Sequence, residues 1–237
     1  MNYNDSTYGF NDTKAREIRD VVETACRDVT GGTQNQPESI TVIINNEIIT
    51  PISTSWYTKE GKDYFTKFET YVNSLTRDIM EAYNGFIDNI NQAGRNWQAN
   101  TGNTFTDLQP LVLEDARIAV DTSPIQELDS NGSAIIDVNA LQNDVVAKLG
   151  LIRERIVQGA IDANSRLKAE ASFIGGDQAL AMQECFTRIA EIIGKIFGFL
   201  DGTGESEAQS LSAAITTAYE KQQSVATDTA EAFRSTN

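Results

Sequence analysis

The chain has 237 residues, 40% hydrophobic and 22% charged, enough apolar material for a packed core and too much for a disordered chain. Its formal net charge of −15 repels phosphate backbones and anionic lipid surfaces, so a soluble protein without a nucleic-acid partner is expected. It has no histidine, which excludes Ser-His-Asp and Cys-His nucleophiles, HExxH zinc sites and imidazole pH switches, but leaves carboxylate, Lys and Tyr chemistry open.

Residues 1–10 are polar and lack the basic and apolar regions of a secretory signal, so they read as a flexible N-terminus. Asn11 or Asp12 can cap a helix whose apolar positions are Ile18, Val21, Val22, Ala25 and Val29. A Gly-Gly-Thr-Gln-Asn-Gln-Pro run from Gly31 to Pro37 interrupts it. Residues 38–52 fit two descriptions. Their β-branched content around Asn45-Asn46 suits a β-hairpin, whereas Ile40, Ile43, Ile44, Ile48 and Ile52 share one helical face, and helical neighbours favour helix. Pro51 would bend that helix near its end.

After Trp56 comes a clear heptad seam: Phe65, Phe68, Val72, Leu75, Ile79, Ala82, Phe86, Ile90, Ala93 and Trp97 step by threes and fours, with a stutter near Phe86. A helix over about 60–100 would be roughly 60 Å long at 1.5 Å per residue and must bury its stripe on something. Residues 103–136 change character, with short apolar runs between Pro and Asp and a Ser130–Ser133 turn, and read as an extended connector at a domain boundary. Asp137 or Asn139 then caps one long helix with the stripe Leu141, Val145, Leu149, Ile152, Ile156, Ala160, Ala163 and Leu167. Phe173-Ile174-Gly175-Gly176-Asp177 breaks it. A further helix carries Met182, Phe186, Ile189, Ile193, Ile196 and Leu200, and a last one, from near Ser206, carries Ala208, Leu211, Ile215, Ala218, Gln222, Val225, Thr229 and Ala232.

The apolar run Ile189–Leu200 contains Glu191 and Lys195 and is shorter than the ~20 residues a membrane span needs, so it reads as a core helix. Cys26 and Cys185 lie far apart on apolar-periodic segments and read as buried free thiols, with a disulfide between them as the alternative. The stretch Glu127–Val138 resembles half of an EF-hand loop but ends in Val where calcium needs a bidentate Glu. The glycine pairs lack the lysine and strand of a phosphate-binding loop, and no carboxylate pair stands out as acid and base. No catalytic, cofactor or metal site is expected.

The two halves share a plan: helix, aromatic-plus-glycine turn, long heptad helix. Trp56 with Gly61 marks the first turn, and Phe173 with Gly175 and Gly176 the second. A Trp-and-Gly turn between amphipathic helices in an acidic chain resembles the WXG100 (ESAT-6-like) superfamily of type VII secretion. In this chain Gly follows Trp56 at the fifth position, and Phe173 stands for Trp in the second turn. That resemblance implies a substrate, chaperone-like partner or targeting subunit, secreted without a Sec signal or held in the cytoplasm before export. It also implies a helical Tyr-xxx-acid export signal, for which Tyr219 is the candidate position, although Gln223 stands where the acid belongs.

The expectation is therefore an all-α protein: a first hairpin over 11–102, the connector 103–136 and a second hairpin over 137–237, the two in tandem as an elongated four-helix-bundle-like coiled coil. It is expected to be non-enzymatic and to bind a protein partner by helix–helix packing, with a homo-oligomer left open and membrane association not expected. The alternative is a structural or assembly protein, such as a phage or injection-machine component, that oligomerises through its coiled coils.

Overall fold

The computed structural model describes residues 10–31, 36–171, 178–203 and 210–235. Among the described residues the protein is all-α apart from one antiparallel pair of two-residue strands. The first helix, α1 (Asp12–Thr30), is capped by Asn11, whose side chain accepts from the Lys14 N–H at 3.0 Å, and buries Ala15, Ile18, Val22, Ala25, Cys26 and Val29.

Within residues 38–52, helix runs from Ile40 onward. A short α2 (Ile40–Ile44) passes into a π-helical turn (Asn45–Ile49) and then α3 (Thr50–Ser55). Pro51 has no N–H to donate to the carbonyl four residues back, and its ring would crowd that carbonyl in a regular α-helix. The wider turn meets this constraint: the Thr50 N–H and hydroxyl both bond the Asn45 carbonyl. Ile40, Ile43, Ile44, Ile48, Ile49 and Ile52 are all buried through it.

The strand β1 (Trp56–Tyr57) breaks the chain before the long helix α4 (Lys59–Thr101). The seam from Phe65 to Ile90 is buried throughout, while Ala93 and Trp97 are half-exposed. Past it, residues 102–134 hold only a 3₁₀ turn (Leu113–Ala116). Strand β2 (Ile135–Ile136) pairs with β1, and Asp137 caps α5 (Val138–Asp144) by accepting from the Ala140 N–H at 3.0 Å.

The single helix expected from 137 is interrupted. After α5 a 3₁₀ turn (Val146–Lys148) precedes α6 (Leu149–Ala171), with the adjacent β-branched Val145 and Val146 at the break. The stripe from Leu141 to Leu167 is nonetheless buried at every expected position. Helix α7 (Gln178–Asp201) buries Met182, Ile189, Ile193, Ile196 and Leu200 but leaves Phe186 half-exposed. The last helix, α8 (Leu211–Ser235), buries Leu211, Ile215 and Ala218. Val225 and Thr229, further along the same stripe, are exposed.

Two compact units account for the chain, and each draws on three separate stretches. Unit 1 takes 1–43, 72–119 and 154–193; unit 2 takes 44–71, 120–153 and 194–237. Each unit therefore holds residues from before, within and after the connector. Helices α4, α6 and α7 each supply residues to both.

The connector is stapled to α4, α2 and the π-helical turn by side chains that take the place of a strand. In unit 1, Asn91 bonds both backbone groups of Leu108, donating to its carbonyl at 3.1 Å and accepting from its N–H at 2.7 Å. Asn84 does the same for Leu111, at 3.3 and 2.7 Å. Thr76 accepts from the Ile118 N–H at 3.0 Å, and Thr41 from the Ala119 N–H at 3.0 Å. Gln98 accepts from the Phe105 N–H at 3.1 Å, and Arg95 pairs with Asp107. In unit 2, Asn45 accepts from the Asp121 N–H, and Glu69 accepts from the Thr122 hydroxyl. Connector numbers rise as α4 numbers fall, so the segment runs antiparallel to the helix. Phe105, Leu108, Leu111, Ile118, Val120 and Ile125 are buried along it. Gly94 belongs to this packing, since a Cβ there would lie 2.4 Å from the Phe105 ring.

Candidate functional site

The turn at Trp56 belongs to unit 2. Ser55 ends α3, and the next two residues are extended, with Trp56 opposite Ile136 and Tyr57 opposite Ile135. The Asp137 N–H donates to the Ser55 carbonyl at 2.8 Å and closes the pairing. This reversal delivers Thr58 to the start of α4, where its Oγ1 accepts from the Gly61 N–H at 3.1 Å, the N-cap bond to the third helical residue.

The same Thr58 oxygen accepts from the Trp56 indole Nε1–H at 2.8 Å. Trp56 is fully buried, so its one polar atom needs this partner. The ring lies directly on Gly61. A Cβ on that residue would sit 2.8 Å from Cε2 and Nε1, closer than atoms pack. Trp56 meets Phe65 edge-on at 6.2 Å and lies near-parallel to Tyr64 at 6.5 Å. Phe199 of α7 completes the cluster, 5.6 Å from Tyr64 and 5.3 Å from Tyr71. Burial pushes the Tyr64 phenol well above its usual range, so it stays protonated.

One charged pair lies beside the turn. Lys221 of α8 bonds Glu60 in the first turn of α4, and that bond, ahead of the opposing burial, holds the Glu60 carboxyl below its usual range. An acid in a first helical turn also suits the helix dipole.

Of the sequence-expected site residues, the structure brings Trp56 and Gly61 into direct contact. Phe173, Gly175 and Gly176 lie outside the described residues. Tyr219 is 45% exposed on α8, two residues before Lys221. Thr58 was not singled out from sequence, although a Thr immediately before a helical segment is a recognisable N-cap candidate.

A second cluster, unnoticed in the sequence, occupies the core of unit 1. Tyr83, fully buried, donates to Asn164 Oδ1 at 2.8 Å. Burial, with the nearby Cys26 and Cys185, raises its phenol well above the ordinary value. Both cysteines are free and buried, and burial pushes the Cys185 thiol up to about 12. Such thiols are inert at neutral pH. Among the described residues no group of His, Cys, Asp and Glu side chains could hold a metal ion, and no helix is long and apolar enough to cross a membrane.

The Trp56 turn positions an aromatic plug and a helix cap. Comparison with protein-family models, curated proteins and solved structures finds no match for this chain.

Proposed function

We propose that this protein is a non-enzymatic helical interaction protein that serves a type VII secretion system as substrate, chaperone-like partner or targeting subunit. Its mechanism is helix-on-helix recognition, with two hairpins in tandem standing in for the two chains that pair in the WXG100 superfamily. The observation that carries the reading is the Trp56 turn: an indole buried on a glycine that cannot carry a Cβ, at the junction of two helices. The acidic composition, the helical content and the exposed Tyr219 on the last helix are consistent with it. The protein would leave the cell without a Sec signal, or wait in the cytoplasm for export.

The test compares the chain's extracellular amount in cells with and without the secretion ATPase. Export that depends on the ATPase is expected; equal amounts in both would sink the proposal. Replacing Tyr219 by Ala should then lower export without changing the far-UV circular dichroism of the purified chain.

One observation favours a second reading, a structural or assembly protein. The stripe of α8 continues past Ala218 through Val225, which is 53% exposed, so apolar surface at helical spacing is left for another chain. Sedimentation of the pure protein separates the two, a high-order assembly favouring this reading.

A further inference from the structure

In unit 1, α6 and α7 face each other across a groove of about 260 Å³. From α6 it is lined by Val157, Ala160, Ile161, Asn164, Ser165 and Lys168, which recur at three- and four-residue spacing on one face. Phe186, Ile189, Ala190 and Ile193 line it from α7 at the same spacing. The walls are apolar, and Ile161 is 51% exposed along them.

Three polar side chains break that apolar surface: Ser165, whose hydroxyl donates back to the Ile161 carbonyl at 2.8 Å, Asn164 and Lys168. Asn164 is 94% buried, as the converse of its 6% exposure. Its Oδ1 is taken by the Tyr83 hydroxyl, while its Nδ2 donates to nothing among the described residues. A buried amide donor without an acceptor costs about 1–3 kcal/mol, so such groups call for a partner. One helical turn further on, Lys168 lines the same groove. Its ammonium has no ion pair among the described residues, although acidic residues outnumber basic ones 34 to 19 in the chain. None of the residues lining the groove is a carboxylate.

We infer that this groove binds a linear alkyl carboxylate, a medium-chain fatty acid, with its carboxylate on Asn164 Nδ2 and Lys168 and its chain along Val157, Ile161, Ile189 and Ile193. One ammonium and one neutral amide suit a monoanion. A carboxylate accepts from both donors at once, and a charge-assisted bond to the ammonium is roughly twice as strong as a neutral one. The groove is open along one side, so octanoate, an eight-carbon monoanion, serves as the probe. This inference stands apart from the secretion proposal, because neither the Trp56 turn nor Tyr219 takes part in it.

The test is calorimetric titration of the full chain with octanoate, octanol and octylammonium, each below its micelle-forming concentration. Saturable binding of one octanoate is expected, with octanol at least about tenfold weaker and octylammonium not bound. Lys168→Met keeps the apolar stem of an exposed side chain and should weaken octanoate about tenfold while leaving octanol unchanged. Asn164→Asp keeps an oxygen for Tyr83 but replaces the donor by an acid, and should abolish octanoate binding. Should that buried variant fail to fold, Lys168→Met decides alone. No saturable binding, equal binding of octanoate and octanol, or unaltered octanoate binding by Lys168→Met would each overturn the assignment.

Discussion

At the scale of single residues, three atoms set the Trp56 turn: the indole Nε1–H, the Thr58 Oγ1 that receives it, and the hydrogen on Gly61 where a Cβ would collide. Gly61→Ala ordinarily favours a helix, yet here the added methyl meets the indole at 2.8 Å. We expect it to destabilise by about 1–3 kcal/mol as an overpacked site, read as a lower urea midpoint with an unchanged slope. Thr58→Ala removes a helix cap and strands the buried indole donor, and about 1–3 kcal/mol is expected for the pair of losses. Titration tests the core of unit 1. The Cys185 thiol holds its proton up to about 12 when folded and releases it near its ordinary value of 9.0 when unfolded. Its contribution to stability is therefore complete below pH 9 and is lost as pH climbs towards 12. The urea midpoint should fall between pH 8.5 and 10.5, and Cys185→Ala should flatten that slope. Tyr64 and Tyr83, both raised by burial, act in the same direction at still higher pH.

At the scale of elements, the connector shows how an irregular segment is held in place. Its backbone has no sheet to join, so the amides of Asn84 and Asn91 each offer one donor and one acceptor, as a neighbouring strand would. Asn91→Leu is close to isosteric but leaves the buried N–H and carbonyl of Leu108 without partners. We expect a loss of about 1–3 kcal/mol, with faster amide exchange at Leu108 and unchanged exchange at residues in α8. Asn91→Asp keeps the acceptor for the Leu108 N–H and loses only the donor, so at a pH where it is ionised its exchange at Leu108 should stay slow. The π turn before Pro51 is a second local solution, in which a missing N–H is met by widening the helix while the isoleucine face stays buried.

At the scale of the whole molecule, a net charge of −15 on 237 residues repels itself in the compact state. Raising sodium chloride from low ionic strength to about 0.15 M shortens the Debye length to about 8 Å, and the urea midpoint should rise. The opposite shift would show that paired charges such as Lys221 with Glu60 outweigh the repulsion. Trp56 lies in unit 2 and Trp97 in unit 1, which gives each unit its own fluorophore. Because three helices supply both units, unfolding of the Trp56→Phe and Trp97→Phe proteins by urea should be a single transition in each. A fluorescence midpoint apart from the far-UV circular dichroism midpoint of the same protein would show that the units melt separately.

Helix content, the neighbourhood of the caps and the buried stripes of α4 and α6 were legible in the sequence, because capping and heptad spacing are local patterns; the structure chose Asn11 over Asp12 and Asp137 over Asn139. The contact of Trp56 with Gly61 was legible as a pairing but not as a clash, since its reason is the position of the indole in space. Three things were decided only by the tertiary structure. The connector read as loose because its partners, Thr76, Asn84 and Asn91, look like ordinary polar positions until a chain more than fifteen residues away returns beside them. The break at Val145 was hidden because the stripe stays in register through it. Asn164 and Lys168 acquire meaning only where α7 faces them. Spacing along one helix determines which residues share a face; which donors on that face lack an acceptor depends on what packs against it.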